Sequence, residues 1–221
     1  MSKILTSGCG ITFPGERPTW VNVFKICGLD ITDLSGPAIS NTLILNQLIT
    51  ELYKNQYNYV ICQLTSKKKL DIELNKNNKS LMENDSLRNF SYKGYWPSSL
   101  STEHEAKQSY YRYLYSPTLD EEDTILKLLH LQNICKETKT ELYIIQGYDM
   151  NWANNLINEV CMDKNFVIQK DYKNSKLYEK HDFTNENTVP NKFYQIELAK
   201  YINRNFLKQD ELNKKLEKFN V

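Results

Sequence analysis

The chain alternates short apolar segments with segments whose apolar residues recur at helical spacing, and this alternation constrains its fold most strongly. Strands are predicted at Lys3–Ser7, Leu29–Leu34, Tyr59–Leu64 and Glu141–Gln146; the first and third are of the buried type and the second alternates. Helices are predicted at about 20–27, 41–52, 120–135 and 191–207, and a short helix at 151–161. Strands separated by helices in this way predict a mainly parallel sheet with helices on both faces, a three-layer α/β/α domain.

Length and charge limit the classes of function. The 221 residues suit one α/β domain, which we place at 1–207, followed by a charged C-terminal helix or tail at 208–221. The net charge of +1 provides no electrostatic basis for binding nucleic acid. Because the GxGxxG and P-loop patterns are absent, we expect no nucleotide bound by those motifs and no cofactor.

Cysteine and histidine usage points to a reducing compartment without a metal site. The five cysteines are odd in number and include no CxxC pair, which favours free thiols. The three histidines, His104, His130 and His181, are not spaced as zinc ligands. No signal peptide and no membrane-spanning run are predicted, so we expect synthesis in the cytoplasm.

Residues 66–118 interrupt the alternation and are predicted to form an ordered insertion. The stretch is rich in tyrosine, and its candidate binding residues are Tyr95, Trp96 and Tyr111. Aromatic side chains with polar tips stack on sugars and also dominate protein interfaces. Three interpretations therefore stay open: a packed lid, a protein interface and a glycan-binding surface.

Ligands of parallel α/β sheets bind outside the carboxyl ends of the strands. The segments expected there are Gly8–Thr12, Gly36–Asn41 and Gln63–Ser66, together with the loop around Val189. Ser40 and Asn41 would either bind a ligand or cap a helix. Gln63 and Thr65 would either line the pocket or be buried as hydrogen-bonded polar groups.

The order of these segments resembles a known family. Gly8-Cys9-Gly10-Ile11-Thr12 is similar to the first block of a bacterial and phage branch of the SGNH (GDSL-like) hydrolases, in which Gly-Cys-Ser-Phe-Thr carries the nucleophilic serine. Leu34–Asn41 looks like the second block, where a glycine amide helps form an oxyanion hole, and Val60–Ser66 occupies the third. Glu186–Pro190 matches the final Asp-x-x-His-Pro. The resemblance spans roughly 3–65 and 120–207 and implies a flavodoxin-like hydrolase fold.

The departures from the family pattern fall on the residues that would perform catalysis. Gly10 stands at the serine position and Val189 at the histidine position, while Glu186 matches the aspartate. Glycine has no nucleophilic atom and valine cannot transfer a proton. Ala38 stands at the oxyanion glycine but keeps its main-chain amide.

The sequence therefore predicts a non-catalytic binding or structural protein. Because the branch is common in bacteriophages, the resemblance implies a virion component with protein partners, and carbohydrate is a second candidate ligand. The alternative is an esterase acting on glycan or lipid esters. It would need a rearranged site that uses Cys9 as the nucleophile or His181 and Asp182 as a displaced base.

Overall fold

The computed structural model describes residues 2–9, 18–36, 39–65, 70–73, 92–95, 116–146, 166–169 and 192–219. In chain order the elements are β1 (Lys3–Ser7), α1 (Trp20–Ile26), β2 (Asp30–Asp33), α2 (Asn41–Leu52), β3 (Tyr59–Leu64), β4 (Leu70–Glu73), β5 (Tyr92–Tyr95), α3 (Pro117–Glu137), β6 (Glu141–Gln146), β7 (Phe166–Gln169), α4 (Lys192–Ile202), a π-helical turn (Asn203–Leu207) and α5 (Asp210–Glu217).

Five of the strands form one parallel sheet in the order β2-β1-β3-β6-β7. Every neighbouring pair is parallel; for example, Leu5 is in register with Thr32 of β2 and with Val60 of β3. Numbered along the chain, the strands of this sheet follow the order 2-1-3-4-5, which is the flavodoxin-like order. The predicted parallel α/β class is therefore confirmed.

Alternate side chains of the central strands enter two separate cores. In β3, Val60, Cys62 and Leu64 join a cluster with α2 and α3, whereas Ile61 joins a cluster with α1 and α4. The corresponding residues of β6 are Leu142 and Ile144 on the first face and Tyr143 and Ile145 on the second. Because both faces are apolar, helices cover both, which gives the three layers predicted.

Local chemistry explains where the helices begin and end. Ser40 caps α2, since its Oγ accepts a hydrogen bond from Leu43 N at 3.2 Å. Ser116 caps α3 and Pro117 follows it at the first helical position, so this helix begins three residues before the predicted Asp120. Gly28 follows α1 with φ +87°, a conformation that favours glycine.

The structure also contains strands that the pattern did not predict. β7 is a four-residue strand at the edge of the sheet. Within the 66–118 insertion, β4 and β5 pair as a separate antiparallel ribbon. The short helix predicted at 151–161 lies outside the described residues. The predicted helix 191–207 is regular only to Ile202, after which it continues as the π-helical turn.

The C-terminal segment is a helix that packs against the domain. Leu212 and Leu216 of α5 are buried in the cluster that contains α1 and α4. Lys215 Nζ donates a hydrogen bond to the carbonyl of Cys27, at the end of α1, at 2.7 Å. A cation at a helix C-terminus interacts favourably with the unpaired carbonyl groups there.

Cysteines 9, 27, 62 and 135 are buried free thiols. Burial raises the pKa of Cys27, and it raises the pKa of Cys135 to about 12. These two thiols are therefore poor nucleophiles near neutral pH. Among the described helices, none is long and apolar enough to cross a membrane.

Candidate functional site

The carboxyl ends of β1 and β2 lie side by side, and their pairing continues into the loops that follow. Leu34 N donates to Thr6 O at 2.8 Å, and Gly36 N donates to Gly8 O at 3.1 Å. The structure therefore brings together the first and second segments that the sequence predicted at this edge. We refer to the region formed by Ser7–Cys9, Asp33–Gly36, Ser40–Asn41 and Gln63–Thr65 as the carboxyl edge.

Asn41 connects α2 to the end of β3 through two hydrogen bonds. Its Nδ2 donates to Thr65 O at 2.9 Å, and its Oδ1 accepts from Thr65 N at 2.7 Å. Asn41 is 3% exposed and Thr65 is completely buried. One side-chain amide thus satisfies both main-chain groups of a buried residue and holds the chain as it leaves β3.

Cys9 lies on the same network and faces the core. Its Sγ is 3.2 Å from Thr65 Oγ1, and the residue is completely buried among the apolar side chains that include Ile39 and Ile44. A thiol in this position is closed to solvent. A substrate would have to displace core residues to reach it.

The remaining predicted residues of this edge are also buried. Ser40 is 6% exposed and its hydroxyl caps α2, which corresponds to the helix-capping interpretation. Gln63 is 1% exposed at the end of β3. Ser7 Oγ lies 3.2 Å from Gln47 Oε1, so the hydroxyl that ends β1 also has an internal partner.

Asp33 is a carboxyl group of this edge that the sequence analysis did not single out. Its Oδ1 accepts hydrogen bonds from Ser35 N at 3.0 Å and from Ser35 Oγ at 2.5 Å. Burial raises the pKa of Asp33, although the Ser35 hydrogen bonds and Lys25 partly oppose the shift. An aspartate two residues before a serine is typical of a turn that the aspartate side chain closes. This spacing is the sequence signal by which Asp33 could have been found.

Several predicted site residues lie outside the described residues, so their geometry stays a prediction. They are Gly10, Ala38, Trp96, Tyr111, His181, Asp182, Glu186 and Val189. Tyr95 is described through its main chain, which pairs with Leu70 in the β4–β5 ribbon.

His130, the histidine among the described residues, belongs to α3 and lies beside the far end of α2. Its Nε2 is 3.0 Å from the hydroxyl of Tyr53, which follows the last residue of α2, whereas Asn41 begins that helix at the carboxyl edge. Within the described segments, no group of three or more His, Cys, Asp or Glu residues could hold a metal ion. The described polar groups of the edge thus support internal hydrogen bonding, and no thiol–imidazole pair forms among them.

Comparison with solved structures finds a similarity to the psychrotrophic esterase EstA from Pseudoalteromonas sp., solved with monoethylphosphonate as inhibitor. The alignment covers 99% of this chain and 98% of that chain, with a TM-score of 0.48 and 12% identity. These values are too low to transfer the esterase's activity to this chain. No protein-family model matches the chain, and no curated protein matches it.

Replacing Asn41 should destabilise the domain. Asn41→Ala leaves the buried N–H and C=O of Thr65 without their partners, and we expect it to lower the free energy of unfolding by roughly 2–4 kcal/mol. Asn55→Ala is the matched control, because Asn55 bonds Glu51 on the exposed surface and should cost less than about 0.5 kcal/mol. Urea denaturation measures both. Equal costs for the two variants would show that the Asn41 amide does not hold Thr65.

Asp33 should make stability depend on pH. A raised folded-state pKa means that this group stabilises the fold fully below its unfolded pKa of about 3.9, and that this contribution is lost as pH rises through the folded pKa. Asp33→Asn keeps an acceptor for Ser35 and removes the half-buried charge. We expect it to be more stable than the wild type at pH 7, with the difference shrinking as pH falls through the folded-state pKa of Asp33 and absent below about 4.

Urea titrations at several pH values measure this effect. Asp30→Asn, an exposed position on the same strand, is the control and should change stability by less than about 0.5 kcal/mol. An Asp33→Asn variant that is less stable than the wild type at pH 7 would contradict the expectation.

Proposed function

We propose that this chain is a non-catalytic binding or structural protein built on an SGNH-hydrolase-like α/β scaffold. The observation that carries the proposal is Gly10, which stands directly after Cys9 at the position of the family's nucleophilic serine. Acyl transfer through a covalent intermediate requires a side-chain oxygen or sulfur at that point, and glycine supplies neither. Val189, at the position of the family's histidine, removes the proton acceptor as well.

The surroundings of Cys9 support this proposal. The neighbouring thiol is the nearest substitute nucleophile along the chain, but it is completely buried and hydrogen-bonded to Thr65. Thr65 is in turn held by the Asn41 amide. Exposing Cys9 to an ester would therefore disrupt a connected set of buried hydrogen bonds.

Hydrolase activity is the first test. We expect the purified full chain to hydrolyse p-nitrophenyl acetate no faster than the same protein after heat denaturation, and to resist labelling by a fluorophosphonate probe. The esterase alternative makes the opposite prediction. Turnover that is lost in Cys9→Ala or His181→Ala, but retained in the buried-thiol control Cys62→Ala, would overturn the proposal and identify the rearranged site.

We further propose that the protein is made in a reducing compartment and is incorporated into a bacteriophage virion through protein partners. The buried free thiols at 9, 27, 62 and 135 are compatible with a reducing compartment. The virion role rests on the family resemblance. Carbohydrate binding through the tyrosine-rich insertion is the second candidate for the binding role.

Sedimentation tests the virion role. Virus particles prepared from the source of this chain are centrifuged through a density gradient. We expect the chain to migrate with the intact particles and to stay with them after a high-salt wash. Disrupting the particles before centrifugation should move it to the top of the gradient. A chain that remains at the top when the particles are intact would contradict this role.

A further inference from the structure

Helix α3 has apolar side chains on its outward face as well as on the face that packs against the sheet. The inward side chains join the core cluster that contains α2 and β3, and they include Leu128, Leu131, Ile134 and Cys135. Leu119 and Leu126, by contrast, are each 65% exposed. Apolar residues on both sides of a helix are typical of a helix that is covered on both sides.

The exposed leucines belong to a regular row of residues, which we call the outward stripe. Its members recur at alternating intervals of three and four positions, and all are exposed or half-buried: Leu119, Glu122, Leu126, Leu129, Asn133 and Lys136. This is the spacing of the a and d positions through which two helices pack in a coiled coil. The hydrogen bonds from α3 to Thr42 and Tyr53, at the two ends of α2, use other residues, Asp123 and His130. The stripe therefore has the pattern of a second helix–helix contact.

The charges of the outward stripe indicate the partner and the direction of that contact. Glu122 lies in its first half and Lys136 in the last turn of α3, so the stripe has opposite charges at opposite ends. A second copy of the stripe in the antiparallel direction would bring each Glu122 within one turn of Lys136 of the other copy. The same arrangement would place Leu126 against Leu129 at its centre, whereas a parallel copy would oppose like charges.

We propose that the outward stripe of α3 is a self-association surface, on which a second copy of this chain binds through its own outward stripe in the antiparallel direction. A two-fold axis relates the two copies, so the same residues serve on both sides of the contact. The leucines supply the apolar contact, and Glu122 with Lys136 sets the direction. The surface goes beyond the binding role proposed above, and a finding of ester turnover would leave it in place.

Sedimentation equilibrium of the purified full chain tests the surface. We expect a monomer–dimer equilibrium with a dissociation constant in the micromolar range. Leu126→Gln should weaken dimerisation at least about tenfold, because it removes the central apolar contact from both copies. Ile26→Gln is the matched control, since Ile26 is 70% exposed but lies on α1, and it should change the dissociation constant less than about twofold.

Exchanging the charges tests the direction of the contact. Glu122→Lys and Lys136→Glu should each weaken dimerisation about threefold or more, because each brings like charges together. An equimolar mixture of the two variants should recover the wild-type strength, since one copy then presents two positive charges and the other two negative charges. The two positions are 14 residues apart, about 21 Å along one helix, so recovery can arise only between copies.

Three results would overturn the proposal. The first is a chain that stays monomeric at every concentration, whatever else covers the outward stripe. The second is a dimer that Leu126→Gln and Ile26→Gln weaken equally, because the contact would then lie elsewhere. The third is a mixture of the two charge variants that dimerises no more strongly than either variant alone, because the antiparallel contact requires recovery.

Discussion

The parallel sheet is the constraint on which the rest of the structure depends. Because its central strands are apolar on both faces, neither face can be left to water, and each must be covered by helices. Ile61 and Cys62 illustrate this requirement, since adjacent residues of one strand are buried in different cores. The helices that cover the faces also determine which loops meet at the carboxyl edge.

At that edge the polar residues mostly bond to one another. Asn41, Thr65 and Cys9 come from the segments that resemble three separate hydrolase blocks, and they form one buried hydrogen-bonded set. Here the described groups link the loops to each other through buried hydrogen bonds.

The sequence predicted an element well where its pattern of apolar residues was long enough to be distinctive. Tyr59–Leu64 and Glu141–Gln146 were predicted with their observed bounds, because long central strands are continuously apolar. Phe166–Gln169 was missed, because an edge strand of four residues is too short to show a periodicity. The site was likewise predicted only in part. The sequence predicted which segments form the carboxyl edge, but it did not predict that Asn41 pairs with Thr65.

By itself the sequence determined the α/β class and the segments that end at the carboxyl edge, and it places a glycine at position 10 and a valine at position 189. Periodicity and side-chain chemistry are local properties, so they can be read along the chain. Only the tertiary structure decided that Cys9 is buried against Thr65, and that Trp20 meets Gln195 across 175 positions. Such contacts depend on how the helices pack on the sheet, and no local pattern encodes them.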